Sequence, residues 1–339
     1  MFLIDCETHL WPPMDDMAYY PNFKKYVNGM AEYQRSRFLQ FSRGPVDLEA
    51  PGIKEKYEAS VKAVQARATS SAQADVESLI RSMDEGGVQL SCVIPEGMIE
   101  LTHGHRVRST NGWVAKEIAK YPDRLIGVAN LGPILKRGID LAIYELEHLV
   151  KEKNFKGCKL YPPDEGPPNC RELWPFYEKV RELGIVLFVH TGISWCPPGL
   201  SAPCHPLLLE EVCVDFPEIP IVAFHMGYPY STDLNLLAAK YPNLYVGTSL
   251  LPRMAFGYTR KAQELLGEAL VLVGSDKLIW GTDWSGSLIG HKEAVEFMKT
   301  IQIGEAVQQD YHYPPISAAT REKWGGLNLA RILKIEIPG

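Results

Sequence analysis

Short apolar runs of strand-like composition recur along the chain at residues 2–7, 90–95, 125–130, 156–160, 185–190, 220–225, 244–247 and 278–281. Between most of them lie stretches with helical spacing, at 72–85, 107–120, 141–151, 173–183, 207–214 and 259–266. Near-continuous apolar strands alternating with helices need a parallel sheet covered on both faces. From the second run onward the repeat is roughly 25–35 residues, the size of a βα unit. Eight such units predict an α/β fold closed into a (β/α)8 TIM barrel. An open doubly wound sheet would carry a Gly-rich dinucleotide turn, and no strand run here is followed by GxGxxG.

The 339 residues leave room for a barrel of about 250 residues with insertions. We read 1–339 as one domain with a long insertion, 11–72, after the first strand. It opens with aromatic residues and proline (Trp11, Pro12, Pro13, Tyr19, Tyr20) and turns charged and helical over 53–68. Insertions of this length in compact domains usually serve as lids or subunit contacts. The segment 305–323 is expected to be irregular and to fold over the barrel mouth or a neighbouring subunit.

Composition excludes other classes. With 35 basic against 41 acidic residues the net charge is −6, the wrong sign for a nucleic-acid binder driven by phosphate neutralisation. No apolar run approaches the ~20 residues of a membrane span, and the first ten residues lack the pattern of a signal peptide. A soluble cytoplasmic protein is expected. The seven cysteines form no CxxC pair and read as reduced thiols. Cys6, Cys92 and Cys158 are expected in the core, whereas Cys196 and Cys204 bracket a Pro-rich loop within reach of a substrate.

In a TIM barrel the groups at strand C-terminal ends meet in one site. Strand one ends Asp5-Cys6-Glu7-Thr8-His9, strand five His190-Thr191-Gly192, strand six His225-Met226-Gly227 and strand eight Thr282-Asp283-Trp284. A lone strand histidine is ordinarily a hydrogen-bonded core group. Metal-competent groups at four strand ends point instead to a metal site. Glu7 and His9 are two apart, so on a strand they share a face. Two carboxylates and two imidazoles suit a catalytic Zn²⁺, Mn²⁺ or Fe²⁺, and the lack of a Cys ligand disfavours a structural zinc. The expected ligands are Glu7, His9, His190 and Asp283, with one position open for water or substrate.

The order Asp5-x-Glu7-x-His9, FVHTG, FHMGYP and GTDW resembles the amidohydrolase superfamily in its amidohydrolase-2 branch. That branch includes aminocarboxymuconate-semialdehyde decarboxylase and γ-resorcylate decarboxylase. Asn111-Gly112-Trp113 with the segment 120–128, and Gly157-Cys158-Lys159-Leu160-Tyr161-Pro162, are similar to its third and fourth units. The resemblance runs to about Leu333, the insertion excepted. It implies one divalent ion, Zn²⁺ or Mn²⁺, held by His190 and Asp283 together with an ExH start instead of the commoner HxH. His225 would transfer protons without ligating, and Asp283 would ligate and also move protons. Lys159 would meet a substrate carboxylate or pair with a neighbouring acid.

Trp11, Glu96, Arg253 and Trp284 follow strand ends and join Lys159 as candidate substrate-binding residues. His103 and His105 in the loop after strand two read as solvated, and His148, His205, His291 and His312 as surface or packing. The expected activity is a metal-dependent, non-oxidative decarboxylation of a small carboxylated aromatic or muconate-like acid. Its rival is hydrolysis of an ester, lactone, amide or C–C bond by a metal-activated water, which uses the same ligands. The expected partners are a small carboxylate and further copies of the chain, as a homo-dimer or homo-tetramer, with no nucleic acid and no membrane.

Overall fold

The computed structural model describes residues 1–10, 47, 49–69, 75–95, 110–194, 199–254, 259–285 and 289–337. Eight parallel strands follow one another around a single sheet in chain order: β1 (Ile4–Leu10), β2 (Leu90–Pro95), β3 (Leu125–Asn130), β4 (Gly157–Leu160), β5 (Val186–Val189), β6 (Ile221–Ala223), β7 (Leu244–Gly247) and β8 (Leu278–Ile279). The last strand is two residues long, yet the barrel closes. Beyond it, Cys6 N donates to Trp280 O at 3.1 Å, His9 N donates to Trp284 O, and Thr8 bridges to Trp284 in parallel register. Parallel pairing throughout forces each return through a crossover, which helices supply.

Those helices are α1 (Val76–Gly86), α2 (Asn111–Ile118), α3 (Ile139–Lys153), α4 (Trp174–Leu183), α5 (Glu210–Asp215), α6 (Ser231–Lys240), α7 (Thr259–Leu272) and α8 (His291–Thr300). Helix α1 shows why such segments start and stop where they do. Asp75 caps it by accepting from Ser78 N at 2.7 Å, and Gly87 ends it at φ 68°. Val76, Leu79 and Met83 lie on its buried face.

Two apolar layers result. Between sheet and helices pack alternate strand residues such as Leu10, Val93, Ala129, Leu160, Leu187 and Val246. Inside the barrel sit Ile4, Cys6, Cys92, Ile126, Val186, Phe188, Val222, Phe224 and Ile279, closed at one end by Leu329, Ala330, Ile332 and Leu333 of the C-terminal helix Asn328–Leu333. Cys6, Cys92 and Cys158 are free and buried as expected; Cys204 is also free and buried. Cys196 lies outside the described residues.

A helix at Ile53–Thr69 matches the expected helical part of the insertion. Its aromatic part, 11–46, lies outside the described residues. The segment 305–323 corrects an expectation, because it is helical at Glu305–Tyr311 and Ala318–Glu322. It packs on the outer helices. The Tyr313 ring fills the space beside Gly267 of α7, and Arg321 donates to Ile301 O just past α8 at 2.6 Å.

Candidate active site

Strand periodicity aims the site residues inward. On β5 the barrel-facing Val186 and Phe188 are followed two residues on by His190. On β8 Ile279 leads to Gly281 and then Asp283 by the same step. On β1 the alternation is reset. The β1–β2 register shifts between Asp5 and Thr8, so Cys6 and Glu7 both reach the interior and His9 follows two residues later. β6 uses another device. His225 and Met226 sit in a turn at φ 58° and 53°, which swings the imidazole to the same side as Phe224. Asp283 also has a left-handed backbone, φ 54°. Non-glycine residues in this region cost energy and persist where their surroundings hold them. Here Thr191 Oγ1 donates to Phe224 O at 2.6 Å and Tyr228 N to His225 O at 3.1 Å. Gly192 lets the neighbouring loops meet, because a Cβ there would stand 2.2 Å from Tyr228 O.

Glu7, His9 and Asp283 each present a ligand atom, and these lie within 4.8 Å of one another. His9 Nε2 is 3.6 Å from both Glu7 Oε1 and Asp283 Oδ1. That is long for a hydrogen bond. It is close to the ~3.4 Å between two ligands each about 2.1 Å from a tetrahedral ion. Glu7 and His9 are buried and Asp283 is partly so. The donor set and its spacing therefore fit a divalent cation. His190 stands beside this trio and not within it. Its ring is 4.8 Å from that of His225 and 5.1 Å from that of Tyr161. Its Nε2 is buried and meets no hydrogen-bond partner among the described residues, as a nitrogen reserved for a cation would be.

Glu7 is the hub. Its Oε1 faces Lys159 Nζ at 3.2 Å and His225 Nε2 at 3.7 Å, while Oε2 accepts from Ser249 Oγ at 2.6 Å. Burial opposes its ionisation, but His225, Lys159 and His9 together hold its carboxyl well below the usual range. Burial, with His225 and Lys159 nearby, pushes the His190 imidazole well below its ordinary value, and burial also lowers that of His225 against the pull of Glu7 and Asp283. The buried Arg253 donates from Nη2 to Asp283 Oδ2 at 3.2 Å. Lys159, ion-paired with Glu7, also lies 5.3 Å above the Phe224 ring.

The half-buried Trp284 has its backbone in the barrel seam and its ring 6.3 Å from His291. Trp11, Glu96, His103 and His105 lie outside the described residues. His291 is fully buried, its Nε2 3.1 Å from Asp5 Oδ2. His148 and His312 are exposed, and His205 packs against Tyr230 at 4.3 Å between rings.

Two residues escaped the reading by strand ends. Ser249, two positions past β7, was invisible because that reading admitted only ionisable and metal-competent groups; a hydroxyl at a strand end was the missing signal. Asp5 stood in the motif without a role. Its Oδ1 accepts from Glu7 N at 2.9 Å and Thr282 N at 3.0 Å, tying together the ends of β1 and β8 that carry Glu7 and Asp283.

A parallel eight-stranded barrel that gathers two carboxylates and three imidazoles at its strand ends defines a metal-site enzyme scaffold of the (β/α)8 class. Within that class the chain belongs to the amidohydrolase family, whose sequence model matches residues 4–335. It is 26% identical over 280 residues to the gamma-resorcylate decarboxylase of Polaromonas sp. (strain JS666), covering 67% of this chain and 81% of that protein. Over 137 residues it is 29% identical to the 2-keto-4-carboxy-3-hexenedioate hydratase of Sphingobium sp. (strain NBRC 103272 / SYK-6), covering 35% of this chain and 40% of that one. The crystal structure of a dihydroxybenzoic acid decarboxylase from Polaromonas sp. JS666, with bound manganese and the inhibitor 2-nitroresorcinol, shares the fold. Its TM-score is 0.61 at 18% identity, over 98% of this chain and 97% of that one.

Proposed function

We propose that this chain is a metal-dependent, non-oxidative decarboxylase of a small carboxylated aromatic or muconate-like acid. The observation that carries it is the convergence of Glu7, His9 and Asp283 within 4.8 Å, with His225 Nε2 3.7 Å from Glu7 Oε1. The likeness to gamma-resorcylate decarboxylase over two thirds of the chain supports the choice of reaction.

Glu7, His9 and Asp283, with His190 as the fourth side chain, would hold one divalent ion, Zn²⁺ or Mn²⁺. When bound, the ion supplies Lewis acidity and a template for the substrate carboxylate and an adjacent oxygen. His225 delivers the proton. The Nε2–H proton forms the new C–H bond at the carbon that bears the carboxylate. The electron pair of the breaking C–C bond then returns to the ring, CO₂ leaves, and Nε2 is left with its lone pair. Asp283 shares in proton movement, oriented by Arg253. Arg253 and Lys159 offset negative charge as it builds. Trp284 with Trp11, and Glu96, would line the substrate space, the aromatic rings matching a planar acid.

The reading extends to a cytoplasmic homo-dimer or homo-tetramer with segment 11–72 as lid or subunit contact. Deleting 21–50 should change activity or mass in solution while the barrel stays folded, and a variant unchanged in both would remove that role.

The test of the reaction uses the Zn²⁺- or Mn²⁺-loaded enzyme with a panel of hydroxybenzoates and muconate-type acids in D₂O. Release of CO₂ without O₂ uptake, with one deuterium at the former carboxyl carbon, is the expected result. Hydrolysis of esters or lactones with no CO₂ from any acid would assign the site to hydrolysis instead.

A further inference from the structure

Ser249 is buried between two groups of the site. Its Oγ lies 2.6 Å from Glu7 Oε2 and 3.0 Å from His225 Nδ1. A hydroxyl has one proton to donate and two lone pairs with which to accept. The other oxygen of Glu7 is paired with Lys159 Nζ at 3.2 Å, and an ionised carboxylate can only accept. The single Ser249 proton is therefore committed to Glu7, and toward His225 the oxygen can only accept. Nδ1 must then carry hydrogen.

We propose that Ser249 is a positioning residue that confines a proton to His225 Nδ1, so that Nε2 is the one nitrogen exchanging protons with the substrate. The same bond serves the neutral ring and the imidazolium, since both carry Nδ1–H. It also defines the ring plane, directing Nε2 toward the space beside Glu7 Oε1, 3.7 Å away. Without it the neutral ring could hold its proton on Nε2, leaving no lone pair there to be reloaded from solvent after turnover. The proposal rests on the reading of His225 as the proton-transfer group.

The experiment records nitrogen spectra of the zinc-loaded enzyme labelled with ¹⁵N-histidine, with the His225 signals identified by their loss in His225→Asn. At about pH 8, above the ordinary histidine range, the wild type should show a protonated Nδ1 and a bare Nε2 at His225. The opposite tautomer in the wild type would overturn the proposal without recourse to any variant. In Ser249→Ala the two tautomers should mix and zinc content should be unchanged. kcat should fall about tenfold, the scale of one orienting hydrogen bond, with KM within about twofold. Ser249→Thr, which keeps the hydroxyl, should restore the Nδ1–H tautomer. An Ala variant that keeps that tautomer would refute the proposal. So would one that loses zinc in parallel with activity, because the hydroxyl would then serve Glu7. If the decarboxylase reading itself fails, no acid of the panel releases CO₂ while the tautomer result stands, so the two failures are told apart.

Discussion

Arg253 Nη2 donates to Asp283 Oδ2 at 3.2 Å, and Asp283 Oδ1 stands 3.6 Å from His9 Nε2. One carboxylate thus faces a fixed cation on one side and the candidate metal centre on the other. This bridge links the short helix Leu251–Met254 after β7 to the end of β8. Replacing Arg253 with Ala leaves a mostly buried carboxylate without that charge-assisted bond, worth about 1.5–3 kcal/mol. Expressed in kcat/KM this is roughly 10- to 100-fold. Steady-state kinetics at saturating metal check it, and a loss under about threefold would mean that Asp283 needs no such partner.

On the proposed reading, the trio geometry ranks the candidate ligands. His9→Ala should strip most of the metal from the purified protein, measured by elemental analysis, because His9 lies between the two carboxylates. His190→Ala should lower affinity as well while the circular dichroism stays that of the folded barrel, since catalytic metal sites are less tied to folding than structural ones. Full occupancy in the His190 variant would confine the ligand set to Glu7, His9 and Asp283.

On the proposed reading, proton transfer and metal binding separate at His225. Asn in its place can still hydrogen-bond but cannot exchange a proton near neutral pH. His225→Asn is expected to keep its metal and to lose at least about 10²-fold in kcat, the scale of a general acid–base group. Metal loss equal to that of His190→Ala would instead make His225 a ligand.

Stability should carry a pH signature from Glu165, at the end of the short helix Pro162–Glu165 after β4. Burial raises its carboxyl from 4.5 to about 7, although Ile134 N donates to Oε2 at 2.7 Å. Between those values the unfolded chain has released this proton and the folded chain has not. Stability from this group is therefore full below about pH 4.5, falls as pH rises, and is flat above about 7. Glu165→Gln, which still accepts from Ile134, removes the effect. The variant should gain on the wild type by about 3 kcal/mol from pH 4.5 to 7 in denaturant titrations. A constant difference across that range would refute the shift.

Much of this was legible in residue order. The apolar runs at 90–95, 125–130 and 244–247 are strands with the same bounds, since an apolar strand buried on both faces carries its own signature. That the ExH pair of β1, His190, His225 and Asp283 would lie close together was readable because barrel strands deliver their C-terminal ends to one place. The segment 305–323 was misread because its short helices take their stability from packing on α7 and α8, which local spacing does not encode.

By itself the sequence determined the period of the pattern, and with it an eight-unit barrel, its inward register on β5 and β8, and the residue types at the strand ends. Tertiary structure alone decided which of those groups touch. The β1 register shift that brings Glu7 inside, the left-handed turn that brings in His225, and the pairing of Lys159 with Glu7, Arg253 with Asp283 and Ser249 with both Glu7 and His225 are relations between distant strands. A strand's period of two residues is local and can be read along the chain. A hydrogen bond of about 3 Å depends on ångström-scale placement of two segments, and that is set only when the whole barrel closes.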